Sequence, residues 1–188
     1  MQPVSRRRVL AALGTGAFGF ARRRDADALA EDSETFRALV DDAESVATDS
    51  LADESATFGA WLTGANERPP VATDAFGFAV FAVAPGERAI DYWLVVADVE
   101  NVAESHIHKG PPDLNGNVVA YLFGPAQKPV TTTGPLASGR LTDDAMIWPL
   151  TDVAGMVEQM RAANVYVNVH TTAHPAGEIR GQIRPLRG

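Results

Sequence analysis

The stretch "AFGFAVFAVAPGERAIDYWLVVADV", Ala75 to Val99, decides the fold. Its first ten residues alternate, with Phe76, Phe78, Val80 and Ala82 on one side and Gly77, Ala79, Phe81 and Val83 on the other. Large residues on both sides predict a central strand covered on each face. Pro85 and Gly86 mark a tight turn, and Ala89 to Val99 resumes the β pattern, so the pair reads as a hairpin. Outward from it, further strands are expected at 57–64, 105–108, 117–123, 164–171 and 178–184. One helix is expected at 152–163, with Thr151 as its cap and Val153, Met156, Val157 and Met160 on one face. Short strands separated by Gly/Pro turns, with a single helix near the end, predict an all-β antiparallel sandwich or barrel.

The four histidines fall in two of these segments. In "SHIHKG", Ser105 to Gly110, His106 and His108 flank Ile107. Residues i and i+2 of a strand share a face, so both rings point one way, about 7 Å apart at Cα, while Ile107 enters the core. In "YVNVHTTAHPAGEIRGQI", Tyr166 to Ile183, Val167 and Val169 share the apolar face with Val165, and Tyr166, Asn168 and His170 form the other. His174 follows in the turn built by Pro175 and Gly177. Beyond the turn, Ile179, Gly181 and Ile183 are expected inward; Glu178, Arg180, Gln182 and Arg184 are expected outward, with a Glu178–Arg180 salt bridge. Two roles stay open for the histidines. His106, His108, His170 and His174 could ligate zinc or copper, the ions an all-nitrogen set favours. Alternatively they hydrogen-bond backbone and carboxylates and close one end of the sandwich. Catalysis by Ser105 with His106 fails because strand neighbours point to opposite faces. No nucleotide-binding, nucleophile-elbow or zinc-protease motif is present.

Composition narrows the classes further. The 188 residues carry a formal charge of −8. The first 24 hold six arginines and no acid, leaving 10 basic against 24 acidic residues, a balance of −14, from Asp25 onward. Such a surface repels nucleic acid, and with only two lysines it suits concentrated salt. Cysteine is absent, which excludes disulfides and thiol chemistry. No apolar run is long enough to span a bilayer.

The chain divides into segments 1–28, 29–54 and 55–188. The first resembles a twin-arginine export signal, with Arg6 and Arg7 ahead of an apolar stretch from Val9 to Ala21. The second is an acidic, low-complexity spacer. An exported protein at the cell surface or outside the cell is the expectation. Trp61, Trp93 and Trp148 are expected at the core or its rim, with carbohydrate stacking as the alternative.

Three stretches in order, Gly64–Val83, Val99–Phe123 and Asn164–Ile183, resemble the CHRD domain, the module repeated in chordin. The pattern falls on Glu67, Pro69, Pro70, Thr73, Ala75 and Gly77; on His106, His108, Gly110 and Gly116; and on Tyr166, Asn168, His170, Pro175, Gly177, Glu178, Arg180 and Gly181. His174 lies outside it. The resemblance implies an immunoglobulin-like β-sandwich or barrel and a non-enzymatic binding or structural module, its partner an unidentified protein or cell-surface ligand. Growth-factor binding is not implied, because chordin's cysteine-rich repeats are missing. A histidine-ligated metal protein, remotely like copper-zinc superoxide dismutase, is the alternative; that enzyme's cysteine pair and zinc loop are missing too.

Overall fold

A computed structural model describes residues 56–186. The signal-like segment and the acidic spacer lie outside the described residues. Eight strands build one antiparallel sheet that closes on itself as a barrel-like sandwich. They are β1 (Thr57–Thr63), β2 (Phe76–Val83), β3 (Ile90–Lys109), β4 (Asn117–Phe123), β5 (Val130–Leu141), β6 (Val165–Thr171), β7 (Ile179–Gln182) and β8 (Arg184–Pro185). Among the described residues a single α-helix, α1 (Val153–Arg161), precedes β6. The strand path β2-β1-β7-β6-β3 is closed by direct pairing of β2 with β3.

β3 makes that closure. The sequence reads as two strands interrupted by the acidic "ADVENVAES", but the chain runs on without a break for 20 residues. Its first half pairs with β2 and β5, its second with β6 and β4. The change of partners occurs where Asp98 and Asn101 take the left-handed conformation, both at φ 55°. Short polar side chains tolerate that region best. The two displaced backbone N–H groups donate to Thr133 Oγ1 (3.2 Å) and Thr131 Oγ1 (3.0 Å). The apparent break is thus a pair of bulges stitched to β5 by hydroxyls.

β5 itself escapes the sequence reading, because Gly134 and Pro135 sit in its middle and resemble a turn. It pairs with β3 alone, and an edge strand tolerates both residues. The helix is as expected in its buried face of Val153, Met156, Val157 and Met160. Its cap is not Thr151: Asp152 Oδ1 accepts the Gly155 N–H at 2.7 Å.

β2 is buried on both faces, as its pattern predicts. Ala79, Phe81 and Val83 enter the main core, with Phe58 and Leu62 of β1, Leu94 of β3 and the helix methionines. Phe76, Phe78 and Val80 form a smaller cluster on the outer side, under Trp93 and Leu186. Ile107, Val165, Val167, Val169, Ile179 and Ile183 all enter the main core. That fixes the opposite face of β3, β6 and β7 as the outer one, and the histidines lie there.

A buried histidine cluster on the outer sheet face

Register assembles the site. His106 pairs with Tyr121 of β4 on one side and Asn168 of β6 on the other. Asn168 pairs with Arg180 of β7, and Arg180 with Thr63 of β1. One row therefore crosses five strands. In the flanking positions His108 stands opposite Tyr166, and Glu104 opposite His170. Same-face positions on adjacent strands bring His106, His108 and His170 together from two chain segments more than 60 residues apart.

Although this face is the outer one, it is not wet. Exposure is 4% for His106, 9% for His108 and 7% for His170. The cover includes the turn after β3: the Gly116 N–H donates to Tyr166 Oη, and Gly116 O accepts from His108 Nδ1–H. Gly116 has no alternative there, since a Cβ would stand 1.7 Å from the Lys109 carbonyl oxygen.

The hydrogen bonds set the tautomers. A carbonyl only accepts, so His108 donates Nδ1–H to Gly116 O (2.9 Å) and His170 donates Nδ1–H to Pro175 O (3.0 Å). Each Nε2 then carries a lone pair. His108 Nε2 is buried with no partner. His170 meets a conflict of its own: Pro175 O and Asn168 Oδ1 both only accept, and a neutral ring donates to just one. With Nδ1–H on Pro175 O, its Nε2 lone pair is set against Asn168 Oδ1 at 3.0 Å and lies 3.1 Å from His106 Nδ1. His106 is asked for two tautomers at once. His170 Nε2 favours a proton on its Nδ1, whereas Glu104 Oε2, 3.4 Å from its Nε2, favours one there. A doubly protonated ring would answer both, but burial, with His170 and His108 close by, pushes its pKa down to about 3. Burial also lowers the pKa values of His108 and His170. Near neutral pH the cluster is three uncharged imidazoles, each with one nitrogen turned toward the others.

One nitrogen from each of the three rings lies within 4.8 Å of the others. Ligands at about 2.0–2.1 Å from a tetrahedral zinc stand about 3.4 Å apart. The His106–His170 pair, at 3.1 Å, is close to that spacing, and the His108 nitrogen lies within 4.8 Å of both. The outward nitrogens of His108 and His170 donate to Gly116 O and Pro175 O, and Glu104 Oε2 stands 3.4 Å from that of His106 without a hydrogen bond. Such acceptors orient and enrich metal-bound imidazoles. His174 is not among the gathered side chains; its backbone closes the turn, its N–H donating to Thr171 Oγ1 at 3.1 Å.

The expected Glu178–Arg180 salt bridge does not form. Glu178 accepts from the hydroxyls of Thr73 and Thr171, both at 2.7 Å. Arg180, 1% exposed, lies flat on Tyr166 with its guanidinium carbon 3.4 Å from the ring centroid. It donates to Asn115 Oδ1 and to the carbonyls of Pro111 and Leu114. Arg180 lies on the outer sheet face as expected, but both residues are buried there, because the loops after β1 and β3 lie over them. Sequence reasoning also assigns no role to Glu67, which is 3% exposed. Burial, opposed by Arg180, Arg68 and Asn168, raises its pKa to about 7. Gly177, at φ 123°, gives it room: a Cβ there would approach Glu67 Oε1 to 2.4 Å. A lone Glu in a Pro-rich loop carries no sign of burial; only the family pattern singles it out.

Fold and site together define a small antiparallel β domain with a buried three-histidine cluster on its outer sheet face. The chain belongs to the CHRD domain family, whose model matches residues 58–183. Neither curated proteins nor solved structures give a significant match.

Proposed function

We propose that this CHRD domain is an exported, non-catalytic module that holds one zinc or copper ion on His106, His108 and His170. A single observation carries the reading. Three buried, neutral imidazoles each turn one nitrogen toward the others, with the His108 Nε2 lone pair unpartnered and that of His170 set against Asn168 Oδ1. Leaving such lone pairs unmatched in a dry site is costly, and one cation between them removes the cost. The ion would supply cross-linking of β3 to β6. The protein's residues bind it, orient the rings and exclude water. Export rests on the signal-like N-terminus. The non-catalytic part draws support from the family and from the cluster's burial.

The test is elemental analysis and thermal unfolding of the purified full chain, metal-free and reloaded at neutral pH. One equivalent of zinc or copper should bind, and ion at a hundredfold excess over Kd should stabilise by about 2.7 kcal/mol. The His106→Ala/His108→Ala double variant should lose both effects, and His174→Ala neither. Affinity should fall on acidification, as protons compete for the imidazoles. A reloaded wild type without metal overturns the reading and leaves the histidines an architectural role.

A further inference from the structure

A second feature lies on the same outer face, centred on β1 rather than on the histidines. Of the eight Lys and Arg among the described residues, Arg68, Arg180 and Arg184 line one groove, and no carboxylate does. The groove encloses about 330 Å³. Register gives its order: Arg180 stands opposite Thr63 and Arg184 opposite Gly59, so Trp61 lies between two guanidinium-bearing positions. Four residues of extended chain separate those positions by about 13 Å.

Trp61 leans on Phe78, ring centroids 4.6 Å apart, yet keeps 44% of its surface exposed and forms part of the groove. Leu186 makes an apolar end wall. It sits over Gly59, where a Cβ would stand 2.7 Å from Leu186 Cδ2. The cations differ in their freedom. Arg180 is fully engaged with the covering loop, so it contributes a fixed charge. Arg68 has Nη1 on three backbone carbonyls and Nη2 3.9 Å from Asp113. Arg184 is exposed and pairs with no described side chain. Its guanidinium is available for bidentate contact with an oxyanion.

We infer that this groove binds an acidic oligosaccharide, a short glycan carrying uronic-acid carboxylates. A pyranose ring offers a flat C–H face for the indole, and a uronate adds the carboxylate that Arg184 takes. An exposed aromatic platform with a few convergent polar groups is the usual form of such a site. The chain's net charge of −8 disfavours a long polyphosphate. It matters less for a short glycan, because exposed charges beyond about 8 Å are screened at physiological salt. The inference does not depend on the histidine cluster.

The test is calorimetry on the full chain with trigalacturonate, maltotriose and hexa-aspartate as probes, in the presence of a chelator. Trigalacturonate should bind, and maltotriose at least about tenfold more weakly. Arg184→Ala, a change at an exposed side chain, should weaken trigalacturonate by about tenfold or more without altering the melting temperature. Trp61→Ala should abolish binding, with Trp61→Phe restoring part of it if the loss is one of stacking rather than of folding. Absence of trigalacturonate binding to the wild type, or equal binding by Arg184→Ala, overturns the proposal. Hexa-aspartate binding as tightly as the uronate also overturns it, in favour of an acidic peptide.

Discussion

The two faces of β6 are equally dry and are held by opposite physics. Val165, Val167 and Val169 are buried among methyl groups. Tyr166, Asn168 and His170 are buried among donors, acceptors and one guanidinium. The apolar face gains from any close neighbour, because dispersion and dehydration have no direction. The polar face gains only where each group meets its complement, and a missing partner costs more than a missing methyl. The comparison teaches that alternation along a strand reports chemistry, not exposure. A polar face stays buried if loops supply the partners, and here the loops after β1 and β3 do so.

Removing the guanidinium should break the polar face hardest. Arg180→Ala would strand Asn115 Oδ1 and two carbonyls and uncover Tyr166, at a cost of about 3–5 kcal/mol in urea unfolding. A loss smaller than that of a valine truncation on the other face would show that the polar network adds little.

Next comes Glu67→Gln, whose effect depends on pH. The native state holds this carboxyl at about 7, above the ordinary 4.5. Its contribution is therefore complete below pH 4.5 and is lost as pH rises through 7. The amide, uncharged throughout, should be more stable than wild type at pH 8 by roughly 2–3 kcal/mol, and nearly equal to it at pH 4. The histidines run the other way. With native pKa values below the ordinary 6.5, they contribute above that pH, and the contribution drains as acid approaches about 3 for His106. Urea midpoints of the variant and wild type across pH separate the two; identical curves would mean that Glu67 is not buried as a neutral acid.

The smallest change is Val167→Ala, on the apolar face, at about 2 kcal/mol. Its midpoint shift should not vary with pH. A pH-dependent shift would mean that the two faces are coupled through the strand.

Much of this was legible in the sequence. The Ala75–Val99 hairpin, the inward Ile107 and the helix face follow from periodicity, and the family from three ordered stretches. What periodicity could not show were features set by backbone geometry or distant partners. The Asp98 and Asn101 bulges join two expected strands into one, and the hydroxyls that stabilise them come from a strand hidden by Gly134 and Pro135. The convergence of His106 and His108 with His170 depends on β3–β6 register, which no local pattern encodes. The carbonyls of Gly116 and Pro175 that set the tautomers have no side-chain signature at all.

The length of β3 also sets an order of events during synthesis. A ribosome that has released β1 to β3 has delivered a meander with one open seam. β6 arrives only with residues 165–171, and β1 finds its other neighbours at Arg180 and Arg184. Closure must wait for the last strands, since long-range pairings form only once both partners exist. Until then His106 and His108 have no His170 to face. A nascent chain therefore lacks the third histidine of the proposed site until β6 has been made.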